Sequence, residues 1–528
     1  MSFLKINKYH ILSVFLILFF ITGCKKPGKQ EIKKNIRIRL EHDPQTLDPA
    51  YIVDVMGGNI SAKLFNGLVR YDEKMAICGD LAKEYEISDD GKEYTFHLRK
   101  CVKFHCGREF TAKDVKYSFE YILSTEPISP RVWVLKKIEK AQDFIEKKTS
   151  HLEGIIIKDQ YTILIKLDEP YAPFISLLTM PTSYIACRQC THGGKQKGIY
   201  CGTGPYIFNL WKHDRTLKLI VNNDYFGKRP SGVENIDYYI IPEDFTALAE
   251  LEKGRIDIME IPVSMLGSLK KKKEKKFDIV EGVTLSTYYI GINCRRPYFK
   301  EKTLRNALSM CINKNDLIKY LMEDNVEKAQ GPVPPGLNGH VSDETIPYDP
   351  EKARRVFASS SIKDINLKFY AKSSQQNTDI VSAIVNDMQK AGLKVEIELR
   401  DWAKFVESIN QGEADLFFLS WWADIPDGID FLSPVFHSEN FGSAGNRAFF
   451  SNKEVDSLID LAEKTTSSEE RHKMYERIAQ IIISESPWIF LWHKKSYYGV
   501  SKKISNYKVY PMYNIDKGEN YKIIPASK

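Results

Sequence analysis

The sequence lacks the short motifs that mark common catalytic sites. It has no glycine-rich phosphate loop of the P-loop type, no paired-histidine motif of zinc proteases and no serine nucleophile elbow. Its 11 histidines include no pair at helical spacing with an acid. These absences do not exclude an enzyme, but they favour a binding role. We therefore predict no catalytic residues and no cofactor.

Long apolar runs are also scarce, and the net charge is small. The one apolar run near membrane-spanning length lies at the extreme N-terminus, which excludes a polytopic membrane protein. With 76 basic and 69 acidic residues, the net charge of +7 gives no strongly basic face, so no nucleic-acid partner is predicted. An apolar content of 43% supports folded cores, and the length suits about three domains.

The N-terminal segment has the parts of an export signal. A basic start is followed by an apolar stretch at 11–21 and then by Cys24. This order resembles the lipidation box of bacterial lipoproteins, in which the cysteine becomes the lipid-modified N-terminus. The resemblance implies a signal peptide at 1–23, lipid attachment at Cys24, a tether at 24–34 and a periplasmic, membrane-anchored protein. A secretory signal followed by a chance cysteine is the alternative.

The remaining eight cysteines are too few for a disulfide scaffold in a chain of this length. Cys187 and Cys190 are spaced like ligands of a zinc site, and Cys201 and His192 lie close by in the sequence. The spacing is loose and no fourth ligand is evident, so we predict no metal site. One disulfide within this group, and a zinc or redox protein built on it, remain alternatives.

The chain changes character near residue 200. Alternating strand patterns such as 94–98 and 161–167 occur before this point, whereas helices alternate with short apolar strands after it. A helix–glycine–strand unit surrounds Gly254, and a similar unit surrounds Gly412, each glycine standing where a helix ends. Helices that alternate with strands cover the faces of a sheet, and the repeated unit predicts two α/β lobes.

One segment combines aromatic side chains with an acid directly after a predicted strand. Ser420, Trp421, Trp422 and Asp424 follow the apolar strand at 416–419. Side chains at the C-terminal ends of strands in α/β sheets face the ligand crevice. There the indoles offer apolar walls, and the carboxylate offers an anchor for a cation such as a primary ammonium. A core strand that ends at a helix-capping acid explains the same residues equally well.

Eight stretches of the sequence resemble the oligopeptide- and dipeptide-binding proteins of bacterial ABC importers, which are family five of the extracellular solute-binding proteins. Each stretch is a weak signal alone, but all eight occur in the order of the family. The stretches are 46–49, 64–69, 87–107, 110–115, 202–206, 254–258, 304–308 and 421–424.

The resemblance implies an α/β fold of the two-lobed periplasmic-binding-protein type (type II, cluster C), with an extra β-rich subdomain on lobe one. This agrees with the change of pattern near residue 200. The implied division places lobe one at 35–66, 200–291 and 490–528, the extra subdomain at 67–199, and lobe two at 292–489.

The resemblance also implies how a ligand is held. A peptide lies extended between the lobes and pairs its backbone with a protein segment of each lobe. Asp424 matches the carboxylate that binds the α-ammonium of the peptide. The residues on which the two pairing segments fall are Asp54, Val55 and Met56 in lobe one and Ser420, Trp421 and Trp422 in lobe two.

The implied partners are an oligopeptide ligand, a membrane permease with its separate ATPase subunits, and the membrane through the lipid anchor. The protein itself is expected to be a monomer that performs no chemistry. The same fold serves nickel chelates, haem, sugars and murein peptides in other family members, so the class of ligand is open. An envelope chaperone or adhesin is a further alternative.

Two positions depart from the family pattern. Some oligopeptide binders have an arginine that meets the carboxylate of a short peptide, where this chain has Phe418. A cysteine pair of the enteric relatives falls on Ser286 and Trp422, so that disulfide is absent here. The other candidate partners of a ligand carboxylate are Lys372, Arg295 and Arg296, each of which is also explained as a surface charge.

Overall fold

The computed structural model describes residues 34–191, 200–230, 232–342 and 346–524. The predicted signal peptide and Cys24 lie outside these residues, as does His192. In the described part of the chain, no helix combines the length and the apolar character that crossing a bilayer requires.

The strands of the described chain are numbered β1 to β20. They are β1 Asn35–Leu40, β2 Val69–Tyr71, β3 Ile77–Gly79, β4 Ala82–Ile87, β5 Glu93–Leu98, β6 Ile155–Asp159, β7 Thr162–Lys166, β8 Tyr206–Lys212, β9 Thr216–Val221, β10 Asn235–Ile240, β11 Ile258–Glu260, β12 Phe277–Val283, β13 Ser286–Ile292, β14 Val326–Lys328, β15 Asn366–Lys372, β16 Lys394–Arg400, β17 Leu416–Trp422, β18 Trp488–Ser501, β19 Ile504–Ser505 and β20 Lys522–Ile523.

The α-helices are numbered in the same way, and short 3-10 turns join several of them. They are α1 Val55–Leu64, α2 Ala112–Leu123, α3 Ala141–Ile145, α4 Phe174–Leu177, α5 Arg188–Thr191, α6 Asp244–Glu252, α7 Val263–Lys271, α8 Lys302–Cys311, α9 Lys314–Asp316, α10 Pro350–Ala358, α11 Gln375–Lys390, α12 Trp402–Gln411, α13 Ser433–Phe436, α14 Lys453–Lys464 and α15 Ser468–Glu485.

A twelve-stranded mixed sheet is the centre of the fold. Its order is β16-β15-β17-β13-β18-β11-β1-β10-β9-β8, and β12 and β14 also pair with β18. The parallel strands β15 and β16 are joined by the long helix α11, whereas the antiparallel strands β8 and β9 form a hairpin. A parallel pair needs such a crossover and an antiparallel pair does not. The α/β class predicted from the sequence is confirmed.

Two strands, β13 and β18, connect the halves of this sheet. The 14 residues of β18 pair with β13 and β14 at the start of the strand and with β11 and β12 toward its end. β13 pairs with β18 on one side and with β17 on the other. The lobe boundaries predicted at 291/292 and 489/490 fall inside these two strands, on backbone that both halves share.

A separate antiparallel sheet, β4-β5-β7-β6, lies within the predicted extra subdomain at 67–199. Along β5, Tyr94, Phe96 and Leu98 are buried and the residues between them are half-buried, as expected when one face of a sheet lies on a core. Helix α2 follows, and at its start Asp114 accepts the backbone N–H of Thr111 at 3.0 Å. This exchange satisfies groups that the helix end leaves unpaired.

The two predicted helix–glycine–strand units are present. Helix α6 is followed by Gly254 with φ +69° and then by β11, and α12 ends at Gly412 with φ +74°, before β17. Glycine adopts a positive φ without strain, so each residue ends its helix and turns the chain back to the sheet. The second unit matters most here, because β17 carries the candidate site.

The buried apolar residues show how closely the predicted units are packed. The largest cluster extends from Phe96 and Ile163 in the extra subdomain to Phe417, Phe431 and Trp488 in lobe two. Burial of apolar surface is the main favourable term in such contacts. The described structure is therefore a closed arrangement, in which the extra subdomain and lobe two share one core.

Candidate functional site

The strand that carries the candidate site has one partly open edge. On one side, β17 pairs with β13 along its whole length. On the other side, its parallel pairing with β15 reaches only Leu416 and Phe417. Within the residues that the structure describes, no strand pairs with this second edge at 419–422, where the side chains are only half-buried. An unpaired edge of this kind can accept a further strand.

The register of the sheet agrees with the alignment behind the predicted site. Ser286 and Trp422, on which the resemblance places a cysteine pair, are directly opposite each other on β13 and β17. Phe418 stands where some relatives have an arginine. It is buried, with its ring centroid 6.1 Å from that of Tyr288 and 6.3 Å from that of Trp492. Phe418 is therefore a core residue and offers no charge to a ligand.

Trp421 and Trp422 are half-buried at the end of β17. The indole N–H of Trp421 lies 3.4 Å from Asp430 Oδ2, and that of Trp422 donates to Ser420 Oγ at 3.1 Å. The ammonium group of Lys494 lies 5.7 Å from the centroid of the Trp422 ring. Because successive side chains of a strand point to opposite faces, the two indoles line different faces of the sheet.

Asp424 is buried, and groups from two distant parts of the chain hold its carboxylate. Arg131 donates to it twice, from Nη1 to Oδ2 at 2.5 Å and from Nη2 to Oδ1 at 3.3 Å. The Tyr513 hydroxyl donates to Oδ1 at 3.0 Å. Arg131, Asp424 and Tyr513 come from the extra subdomain, lobe two and the last part of lobe one, so all three predicted units meet at this carboxylate. Arg131 and Tyr513 are not among the residues predicted for the site, because no local motif marks either residue.

A second acid adjoins this ion pair. Asp430 Oδ2 accepts the backbone N–H of Asp424 at 2.9 Å. Burial raises the pKa of Asp430 well above its usual value, and the negative charge of Asp424 raises it further. Burial lowers the pKa of Arg131, but the charge and hydrogen bonds of Asp424, together with Tyr513 and Asp430, raise it by more, so the pKa of Arg131 is raised overall. The Asp424–Arg131 ion pair therefore lies beside a second carboxyl group whose protonated form is favoured by burial.

The lobe-one segment of the predicted site has a different conformation from the one expected. Val55 and Met56 form the first turn of α1, and Asp54 caps the helix by accepting the Gly57 N–H at 2.7 Å. An acid at this position satisfies a first-turn N–H and so starts a helix. The expectation of a pairing strand at 54–56 is therefore wrong for Val55 and Met56. Asp54 Oδ2 is buried without a hydrogen-bond partner in the described residues.

Tyr513 joins this helix start to Asp424. A Cβ atom added at Gly58 would lie 2.3 Å from Cε2 of the Tyr513 ring, so only glycine allows the ring to approach α1 this closely. Asn59 Nδ2 donates to the Tyr513 carbonyl at 3.2 Å, while the Tyr513 hydroxyl reaches Asp424. The structure thus brings α1, through Gly58 and Asn59, and the predicted anchor Asp424 to one tyrosine.

Two of the three basic residues considered for a ligand carboxylate are engaged within the protein. Arg296 Nε lies 2.6 Å from Asp415 Oδ1. The Arg295 guanidinium stacks on Phe449 at 3.8 Å from the ring centroid. Lys372 is half-buried at the end of β15. A groove of about 600 Å³ beside Arg295 and Phe449 is lined by lobe-two residues and does not include Asp424 or the end of β17.

The cysteine group contains a member that sequence analysis did not include. The Sγ atoms of Cys106, Cys187, Cys190 and Cys201 all lie within 4.8 Å of one another. Cys106 is 81 residues before Cys187, and this separation explains why no spacing rule connected it to the other three.

The strands β13 and β18 connect the two halves of a mixed sheet, and a buried carboxylate lies beside an open strand edge where the predicted units meet. These features define a two-lobed binding protein. The chain belongs to the bacterial extracellular solute-binding proteins, family 5, whose profile, described as the middle region, matches residues 76–443. The family and the two-lobed fold predicted from the sequence are confirmed.

Known proteins resemble this chain over most of its length. It is 27% identical to the oligopeptide-binding protein AppA of Bacillus subtilis over 549 residues, which cover 96% of this chain and 97% of that protein. It is 30% identical to heme-binding protein A of Haemophilus influenzae over 492 residues, 88% of each chain. The solved structure of the periplasmic binding protein DppA of Helicobacter pylori, in complex with a peptide, matches with a TM-score of 0.82 and 25% identity, over 93% of this chain and 98% of that one.

Proposed function

We propose that this protein is an extracytoplasmic receptor that captures oligopeptides between its lobes and delivers them to an ABC transporter. The observation that carries the proposal is the open edge of β17 at 419–422, two residues before the buried carboxylate of Asp424. An extended peptide adds to such an edge through backbone N–H and C=O groups, which every peptide sequence has. Membership of family 5 and the peptide-binding relatives support this choice of ligand.

In this proposal, Asp424 binds the α-ammonium of the peptide. Arg131 occupies that place in the described structure, donating two hydrogen bonds to the carboxylate. An ammonium and a guanidinium are both cationic donors that a carboxylate accepts well. The peptide therefore competes with Arg131 for the same oxygens. Before binding, the pair holds the extra subdomain against lobe two, and the incoming ammonium takes over at least one of its hydrogen bonds.

The other proposed contacts surround this anchor. Ser420, Trp421 and Trp422 provide the backbone edge and one indole on each face of the sheet. Asp54 provides a second carboxylate with an unused buried oxygen. Val55 is 42% exposed and Met56 is half-buried, so both can contact ligand side chains. The proposed specificity is broad, because backbone pairing carries the affinity.

The same proposal covers location and assembly. The signal peptide at 1–23 directs export, and lipid attached at Cys24 anchors the protein through the tether at 24–34. The lobes, divided at the boundaries given above, close on the ligand and dock on a permease with separate ATPase subunits. The protein acts as a monomer and performs no chemistry.

Calorimetric titration with matched peptides tests the anchor. A peptide with a free amine should bind about 10- to 100-fold more tightly than its N-acetylated form, because a hydrogen bond to a charged group is worth about 1.5–3 kcal/mol. The Asp424→Asn variant should lose this preference, whereas Asp427→Asn, at a half-buried acid three residues away, should keep it. Equal affinity of the unmodified protein for both peptides would refute the role of Asp424. Binding of haem or a nickel chelate in place of any peptide would refute the ligand class.

Lipid attachment has an independent test. Cells that express the protein and are grown with labelled palmitate should incorporate the label into it, and Cys24→Ser should abolish this labelling. Cys101→Ser is the matched control, since it removes an exposed cysteine elsewhere in the chain. Label that persists in Cys24→Ser would contradict the anchor.

A further inference from the structure

Four cysteine sulfur atoms converge outside the candidate peptide site. Cys106 Sγ lies 3.7 Å from Cys187 Sγ, and both are within 4.8 Å of the sulfur atoms of Cys190 and Cys201. Four thiolates at about 2.3 Å from a tetrahedral zinc ion are about 3.8 Å from one another. A disulfide requires a separation of about 2.05 Å. Cys106 and Cys187 therefore have the spacing of two ligands of one ion and not that of a bonded pair.

We propose that these four residues, called here the four-cysteine cluster, bind one structural zinc ion. The sequence predicts no metal because only three of the ligands are near one another in the chain, their spacing is loose, and no fourth ligand is evident. In the fold, Cys106 supplies the fourth thiolate. This inference is independent of the proposed peptide binding.

Local backbone structure presents the four thiols to one another. Cys106 lies in a tight turn, in which the N–H of Gly107 donates to the Phe104 carbonyl at 2.8 Å. Gly107 has φ +86°, which glycine adopts without strain. Cys187 and Cys190 flank the start of α5, and the Cys190 N–H donates to the Cys187 carbonyl at 3.1 Å. A turn and a C-x-x-C helix start are both compact ways to hold thiolates around a zinc ion.

Backbone hydrogen bonds also hold the segment that carries Cys201, the fourth proposed ligand. The N–H of Cys187 donates to the carbonyl of Cys201 at 3.0 Å, and the N–H of His105 donates to the carbonyl of Gly202 at 2.8 Å. The segment at 201–202, which leaves the extra subdomain, is therefore hydrogen-bonded both to the segment of Cys187 and to the segment of Cys106. A zinc ion would fasten three segments at one point, where the extra subdomain meets lobe one.

The charges around the cluster suit a tetrathiolate zinc ion, which carries two net negative charges. Arg108 Nη2 lies 3.5 Å from Cys187 Sγ and also pairs with the buried Asp114. Arg188 Nε lies 3.7 Å from the same carboxylate. The Arg108 guanidinium thus stands close to one of the sulfur atoms, and Asp114 holds it together with the guanidinium of Arg188. Outer contacts of this kind orient metal ligands and adjust their charge in known metal sites.

Access and coordination indicate the role of the ion. Cys187 and Cys201 are buried, Cys190 is half-buried and Cys106 is exposed, so an ion can enter from the side of Cys106. Four protein ligands leave no open position for substrate or water. The zinc would therefore stabilise the junction of the extra subdomain with lobe one, and it would have no catalytic part.

Metal analysis of the full-length protein, purified without chelators and under reducing conditions, tests the proposal. We expect one zinc ion per chain. Cys106→Ser and Cys190→Ser should each lose most of it, whereas Cys101→Ser, which removes an exposed thiol five residues from Cys106, should keep it. Cobalt added to the zinc-free protein should produce the thiolate-to-metal absorption and the visible bands of a tetrahedral site. The thermal midpoint should fall when the zinc is chelated and recover when zinc is added.

A second measurement covers variants that fail to fold. A mercurial reagent titrated into the unsubstituted protein should release zinc, detected with a coloured indicator, as the four thiolates are modified. Any of three results would overturn the proposal. The first is a protein that binds no zinc when it is reduced and zinc is added. The second is zinc content that persists in both Cys106→Ser and Cys190→Ser. An intact mass showing these cysteines joined as two disulfides in protein isolated from the cell envelope, without zinc, would also overturn it.

Discussion

Replacing Asp424 with asparagine removes the negative charge from a site where the positive charge remains. The side chains of Arg131 and Asp424 are only 16% and 9% exposed, so water screens the pair weakly, and the Tyr513 hydroxyl supplies no charge in place of the carboxylate. Removing one member of a buried pair costs about 3–5 kcal/mol, and the partial exposure of Arg131 points to the lower end. We expect Asp424→Asn to lower the free energy of unfolding by about 3 kcal/mol.

A double-mutant cycle separates this loss from other effects of the substitution. Arg131→Gln and the double variant are unfolded in urea in the same buffer, and variants with equal slopes of the unfolding transition are compared. The double variant should be more stable than the sum of the two single losses predicts, by about 2 kcal/mol, because neither charge is then left alone.

Arg477→Gln is the matched control for the cycle. Arg477 also pairs with an acid, Glu454, at 2.8 Å, but the two side chains are 56% and 54% exposed. Exposed pairs of this kind contribute about 0–1 kcal/mol, so we expect only a small change. Additive losses for Arg131 and Asp424 would refute the reasoning, since they would show that the two charges do not stabilise each other.

Two further predictions concern the surroundings of the site. Gly58→Ala should weaken both stability and peptide binding, because its Cβ would lie 2.3 Å from the Tyr513 ring and displace the hydroxyl that reaches Asp424. Tyr513→Phe keeps the ring, so calorimetry should show a smaller loss of stability for it than for Gly58→Ala. The free energy of unfolding should also decrease as the pH falls from 6.5 toward 4. Burial lowers the pKa of His493 to about 4, so the unfolded chain protonates this histidine at a higher pH than the folded chain does. His493→Asn should flatten the decrease in pH-dependent urea unfolding, and an unchanged slope would contradict the assignment.

The sequence predicts well those features that depend on neighbouring residues. Alternating side chains predict β5, the pair Thr111 and Asp114 predicts the start of α2, and Gly412 predicts the end of α12. In each case a few residues decide the local backbone through capping, alternation or a positive φ. The family resemblance extends this to the two-lobed fold, and the pairing of Ser286 with Trp422 supports the alignment on which the candidate site rests.

The sequence by itself determined the class of fold, the strand that carries the candidate site and the acid that follows it. Only the tertiary structure decided what surrounds these residues. Arg131 is 293 residues from Asp424 in the chain but donates a hydrogen bond to it, and Cys106 is 81 residues from Cys187 but lies 3.7 Å from it, measured between the sulfur atoms. The tertiary structure also left one edge of β17 open and turned Val55 and Met56 into a helix. Contacts between distant segments depend on how strands order in the sheet and on which surfaces are buried together. Neither is encoded in the spacing of residues along the chain.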